Sequence, residues 1–228
     1  MKKVTILIVF ALIGMLVSGT LVNADTISAG DRIMLVNGPG SPGGEFGIRK
    51  WTGTIYSGVL FETFCIQGTE YIDFNSEGFI VQSITDHTIL GYDQISDATA
   101  YLYYQFRMGS LYDNIGNIYD GTTGTTASPN ALQNAIWQLE DENWNSSVLE
   151  EFWYNQALNA VVDGWRNDGK VQVMNLVWAT TRNGFREGTN AQDQLVLAPV
   201  PEPSTILLIG SGLIGFGILG RKRFKRRG

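Results

Sequence analysis

Among 228 residues the sequence holds one cysteine and one histidine. A single cysteine forms no internal disulfide, which excludes a cystine-stapled secreted module. One Cys and one His also leave a Cys/His zinc site without its ligands, so neither a metal nor a cofactor is expected. A Ser-His-Asp mechanism has only His87 to draw on. That residue follows Thr85 and Asp86 near the end of an expected strand, a place for a loop or surface residue. There is no Gly-x-Ser-x-Gly elbow and no His-Glu-x-x-His helix. Carboxylates are plentiful, as in Glu140-Asp141-Glu142, and keep an acid-pair glycosidase open, because spacing alone says little about such pairs. A turnover enzyme is not the expectation.

Basic residues are scarce in the middle of the chain. Residues 25–203 carry all 22 acidic residues and only eight basic ones, a net charge of −14 beneath the overall −6. A surface that acidic argues against nucleic acid as a partner. It suits an extracellular domain and cationic or amine-bearing partners.

What the middle lacks, the ends have. Lys2 and Lys3 precede an uncharged apolar run over 4–17, and Val22-Asn23-Ala24 offers small residues at −3 and −1. Residues 1–24 therefore read as a secretory signal cleaved before Asp25. At the other end, Val200-Pro201-Glu202-Pro203 is stiff and non-helical. The 17 uncharged residues 204–220 follow, then six basic residues from Arg221 to Arg227. At 1.5 Å per residue the uncharged run spans about 26 Å, slightly less than a ~30 Å hydrocarbon core. Snorkelling arginines and local thinning cover the gap, and the basic cluster stays cytoplasmic. Residues 25–199 are then an exported domain, tethered to the inner membrane through 204–220.

Pro201-Glu202-Pro203, a Gly-rich apolar segment and a terminal Arg/Lys cluster together resemble the PEP-CTERM sorting signal, here over 200–228. The resemblance implies a Gram-negative exporter, processing by an exosortase, and the setting of exopolysaccharide-producing, biofilm-forming bacteria. It implies how the chain is handled, with transient anchoring before release to the cell surface or matrix.

The middle reads as strands, then helices, then strands. Strands are expected over 32–36, 46–54, 57–66, 70–74 and 78–84, where β-branched and aromatic residues concentrate. Helices are expected over 95–108, 130–142 and 147–167, and strands again over 171–179 and 194–198. That order argues for α+β: antiparallel sandwich or barrel-like strands with an inserted three-helix subdomain, plus an N-terminal signal helix and a C-terminal transmembrane helix.

The lone cysteine lies in Phe61-Glu62-Thr63-Phe64-Cys65-Ile66-Gln67, and far downstream comes Leu132-Gln133-Asn134-Ala135-Ile136-Trp137. At about 100° per residue, Leu132, Ala135, Ile136 and Leu139 share one helical face and Gln133 lies beside it, at the rim of the core. Taken alone, Cys65 fits a small buried hydrophobe or an intermolecular disulfide, and Gln133 fits the N3 position of a capping box opened by Asn130. Taken together, the segments resemble the thioester domains of bacterial surface adhesins, which pair an aromatic-Cys strand with a Thr-Gln-x-Ala-[Ile/Val]-Trp helix. Leu132 stands where that threonine is usual, and Gln67 where an acidic residue often follows the cysteine. The resemblance implies a Cys65–Gln133 thioester, with Phe64, Tyr104, Ala135 and Trp137 lining the site. It further implies capture of an amine on a protein or polysaccharide surface, as a single-use reactive binder. The alternative is a structural or carbohydrate-binding matrix protein with an inert Cys65, its stacking platform drawn from six tryptophans and nine tyrosines.

Overall fold

A computed structural model describes residues 26–38, 44–74, 78–90, 93–119, 127–142, 147–181 and 183–198. The expected signal helix and its cleavage site, the Pro201-Glu202-Pro203 motif, the span 204–220 and the basic tail lie outside the described residues. Among the described residues, no helix is long and apolar enough to cross a membrane.

Six strands form one sheet in which every pairing is antiparallel: β1 (Arg32–Asn37), β2 (Phe46–Lys50), β3 (Phe61–Thr63), β4 (Phe79–Thr85), β5 (Val171–Trp178) and β6 (Asn190–Leu197). Their order across the sheet is β3-β2-β1-β4-β5-β6. Three helices enter between β4 and β5: α1 (Asp97–Arg107), α2 (Ala127–Leu139) and α3 (Val148–Val162). The architecture is the α+β arrangement with a helical insertion.

Local chemistry explains the elements. In β1, Ile33 and Leu35 turn inward while their neighbours do not, the period-two pattern of a half-buried strand. In β5, by contrast, nearly every side chain is buried, and α1 packs against this strand. Ser96 caps α1 by accepting the Thr99 N–H. Ser147 and Glu150 form a reciprocal capping box at the start of α3. That helix ends at Val162 rather than 167, where Gly164 adopts a φ of +99°. Pro129 sits in the first turn of α2, where its missing N–H costs no helical bond.

Three expected strands change. The strand over 46–54 ends at Lys50, the strand over 57–66 contracts to Phe61–Thr63, and 70–74 forms no strand. Tyr71 and Phe74 spend their rings elsewhere: Tyr71 stacks on Phe185 at 5.2 Å and Phe74 packs against Phe46 at 5.4 Å. β6 also begins four residues early, at Asn190 rather than 194, so Gln192-Asp193-Gln194 lies inside a strand.

The contraction of β3 decides the topology. Just past its end, Cys65 makes an isolated antiparallel bridge to Gln194 of β6. The Leu195 N–H donates to the Phe64 carbonyl, and the Ile66 N–H donates to the Asp193 carbonyl, both at 3.1 Å. Thr63 Oγ1 adds a bond to the Leu195 carbonyl at 2.6 Å. The two edges of the sheet therefore meet, and the seam runs through the only cysteine. Closure of this kind removes exposed edges that would otherwise template aggregation.

Candidate functional site

Pairing with β6 uses the backbone groups of Phe64 and Ile66, which leaves those of Cys65 pointing the other way. They are met by one side chain. The Cys65 N–H donates to Gln133 Oε1 (2.9 Å), and Gln133 Nε2 donates to the Cys65 carbonyl (2.7 Å). A primary amide presents a donor and an acceptor side by side, so Gln133 imitates the next strand of the sheet. Both residues are buried, with Gln133 wholly so.

This burial corrects the rim position expected from the helical wheel. α2 packs against α1 and α3 on its apolar side, and the Cys65 segment covers the flank that carries Gln133. The capping-box alternative also falls. The helix starts at Ala127, which puts Gln133 in its interior.

The sulfur has its own partner. Gln194 Nε2 donates to Cys65 Sγ at 3.1 Å. Three glutamines then converge on residues 65–67, two of them on backbone, because Gln192 Nε2 donates to the Gln67 carbonyl. Burial pushes the Cys65 thiol well above its ordinary range; the Gln194 bond opposes this, and the nearby Glu70 and Asp193 carboxylates reinforce it. Burial therefore favours the protonated thiol over the thiolate.

Asp193 explains why the polar trio tolerates its position. Between Met174 and Leu176 the β5–β6 register shifts. Asp193 Oδ1 accepts the Leu176 N–H there, and Oδ2 accepts the Ile89 N–H, both at 3.0 Å. The carboxylate fills a ladder gap opened by a bulge, a device common beside functional sites. Burial nonetheless raises its pKa to about 6. Glu70 Oε2 accepts the Asp193 N–H at 3.2 Å, and burial with the Asp193 charge raises Glu70 to about 7.

The expected lining residues divide. Phe64 is fully buried, edge-on to Phe106 at 5.1 Å, and Ala135 is fully buried on α2. Trp137 lies over Gly68: a Cβ there would sit 3.7 Å from the indole and 3.5 Å from Glu142 Oε2. Tyr104 packs instead against Trp165. The tyrosine of α1 that reaches the β3 segment is Tyr103, whose hydroxyl donates to the Glu62 carbonyl at 3.1 Å. His87 pairs with Asp86 through Nδ1 at 2.8 Å, partly exposed. Glu140 and Asp141 have structural work: Glu140 Oε1 accepts the Ser96 N–H at the start of α1, and Asp141 adopts a φ of +59° past the end of α2. Pro201, Glu202 and Pro203 lie outside the described residues. Among the described residues no group of three or more His, Cys, Asp or Glu side chains could hold a metal ion.

Sequence reasoning missed Gln194, Asp193, Gln192 and Glu70. The available signal was Gln192-Asp193-Gln194 running directly into Leu195-Val196-Leu197. A polar trio continuous with an apolar strand marks buried polar groups with assigned partners.

Comparison with known proteins bears on the terminus rather than on this site. Residues 199–223 match the family described as the PEP-CTERM protein-sorting motif. The match implies export, exosortase processing and transient membrane anchoring in a Gram-negative bacterium. No curated protein matches the chain, and neither does any solved structure.

Proposed function

We propose that this exported protein carries an internal thioester between Cys65 and Gln133, used once to attach covalently to an amine-bearing protein or polysaccharide in adhesion or biofilm formation. The observation that carries the reading is the pair of hydrogen bonds locking the Gln133 carboxamide onto the backbone of Cys65, inside a fully buried site. The only cysteine and the glutamine are 68 residues apart in sequence, and the fold joins them through both polar atoms of the carboxamide.

The chemistry suits those residue types. A carboxamide is unreactive toward amines, while a thioester stores an electrophile with a good thiolate leaving group. An amine attacking the Gln133 acyl carbon would expel the Cys65 thiolate and leave an amide crosslink. Cys65 lies in a buried apolar cluster with Phe61, Met174, Leu176 and Val196, and Trp137 packs against it, cover that would protect a thioester from hydrolysis until a partner arrives. The amide donor of Gln194 on the sulfur favours the departing thiolate.

Intact-mass measurement of the freshly purified protein tests this. The expected mass is one ammonia below that of the sequence, with methylamine restoring the ammonia and adding a methyl group. A full mass with one titratable thiol would overturn the proposal.

A second reading has a specific observation behind it. Tyr71, about half exposed, stacks within 5° of parallel on Phe185, which in turn stacks on Trp178 at 4.7 Å. Such a face suits a sugar ring, and the protein would then bind matrix polysaccharide without a covalent bond. Polysaccharide retention that survives Cys65→Ala and is lost in Tyr71→Ala identifies this alternative.

A further inference from the structure

The helix α3 breaks a pattern that the rest of the domain keeps. The domain is rich in carboxylates, yet residues 152–162, most of this helix, hold no charged side chain. A solvated helix ordinarily carries charges opposite its apolar stripe. Here Trp153 and Ala157 are buried, and the outer side holds exposed Asn155, Leu158, Asn159 and Val162. Carboxamides and aliphatic groups stand where lysines and glutamates would solvate the helix.

That side borders an open cavity of about 530 Å³ between α1 and α3. Phe152, Asn155, Gln156, Asn159 and Asp163 line it along α3, and Tyr101 lines it from α1. The α3 residues recur at spacings of three and four, so they form one stripe over three turns, about 16 Å long. Tyr101 is braced by Trp165, whose ring meets it edge-on at 5.5 Å. Asn155 Nδ2 donates to the Glu151 carbonyl at 2.9 Å, which fixes the plane of its amide.

We propose that this cavity binds an uncharged oligosaccharide. Three primary amides, each with a donor and an acceptor side by side, suit neighbouring hydroxyls, which also donate and accept. The Asp163 carboxylate accepts from two such hydroxyls. The Tyr101 and Phe152 rings offer apolar surface to the C–H face of a pyranose. Gln156 is incomplete without a ligand: its Oε1 is shielded from solvent and has no hydrogen-bond partner among the described residues, where buried amide oxygens are normally paired. The stripe is longer than one pyranose ring, which points to a chain of sugars rather than a monosaccharide.

Charge decides the class of sugar. Among the described residues no basic side chain lines the cavity. The two cations that follow α3 are engaged elsewhere. Arg166 Nη1 donates to the Val161 and Trp165 carbonyls at 2.8 and 2.6 Å. Lys170 Nζ donates to the Arg166 carbonyl at 2.9 Å and pairs with Asp168 at 3.1 Å. An acidic polysaccharide would meet Asp163 and an acidic domain with no cation to offset them. The site uses other residues than the Tyr71–Phe185 face and does not rest on the thioester.

The test titrates the full-length protein calorimetrically with cellohexaose, maltohexaose and mannohexaose, and with alginate oligomers as the acidic probe. At least one neutral hexasaccharide should bind, with an affinity that salt does not change, and alginate should not. Asn155 and Asn159 occupy exposed helical positions where alanine is favourable, so Asn155→Ala and Asn159→Ala should fold as the wild type does. Each should weaken binding by about tenfold. Absence of binding by all three neutral probes, wild-type affinity in both asparagine variants, or binding of alginate alone overturns the proposal. So does binding that is lost in Tyr71→Ala and kept in the asparagine variants, which would assign the sugar to the other aromatic face.

Discussion

The two ways of joining strands in this sheet contrast sharply. Across β4, β5 and β6 the joining is broad: strands of seven or eight residues, long registers, and a core of Phe79, Val81, Val173, Leu176 and Trp178. Where β3 meets β6 it is a seam one bridge long, surrounded by buried Thr63, Gln67, Gln133, Asp193 and Gln194. The broad region is held by apolar burial, which is non-directional and tolerant of small shifts. The seam is held by polar groups that each have one correct partner, and burying them is costly if any is lost. A chain that only needed to close its sheet would do better with valines. Polar burial at this seam, around the only thiol, is what makes it the candidate site.

The contrast can be broken first in the broad region. Trp178 is fully buried, packs against Phe79 and Phe185, and its Nε1 has no hydrogen-bond partner among the described residues. Trp178→Ala removes packing alone and should cost about 3–5 kcal/mol. That lowers the thermal midpoint by roughly 10 °C or more, equally at pH 5 and pH 8. A pH-dependent loss would mean that the broad region also relies on charge.

At the seam, Gln133→Leu keeps the volume and removes both partners of the Cys65 backbone. Two buried backbone groups left unpaired should cost about 2–3 kcal/mol net of the apolar gain, read by denaturant unfolding. A neutral result would show that Gln133 is dispensable to closure and held there for reactivity alone. Asp193→Asn should cost less, about 1–2 kcal/mol, because the amide oxygen can still accept one of the two N–H groups from Leu176 and Ile89.

The same contrast explains what the sequence makes legible. β1 announces itself through a short apolar run, β5 through a longer, largely apolar one, and the helices over 97–107 and 148–162 through their serine caps. The Cys65–Gln133 pairing is visible only as two motifs with a single cysteine between the alternatives. Glu70 leaves no such mark, and Gln194 only that of a polar trio running into an apolar strand. Their positions follow from the bulge between Met174 and Leu176 and from the contraction of β3, and neither is encoded by periodicity. The wheel put Gln133 at a rim because it counts one helix, whereas the covering surface belongs to a strand 68 residues earlier.

The smallest effect is also the most selective. Glu70 and Asp193 have pKa values raised by burial to about 7 and about 6, so the fold favours their protonated forms. Their contribution to stability is complete below the ordinary carboxylate range and is lost as pH rises through 6 to 7. The protein should therefore melt higher at pH 5 than at pH 8. Glu70 is only half-buried, so solvent screening keeps its share to roughly 2 °C, and Glu70→Gln should flatten the profile by that amount. Glu45 at the foot of β2, raised to about 7 by burial despite its bond from the Tyr119 hydroxyl, adds a slope of the same sign away from Cys65. Glu45→Gln should remove that component, read as a flatter dependence of the thermal midpoint on pH between 5 and 8. If Glu45→Gln flattened the profile and Glu70→Gln did not, the carboxylates at the seam would not be coupled to folding, and burial there would differ in kind from burial at β2.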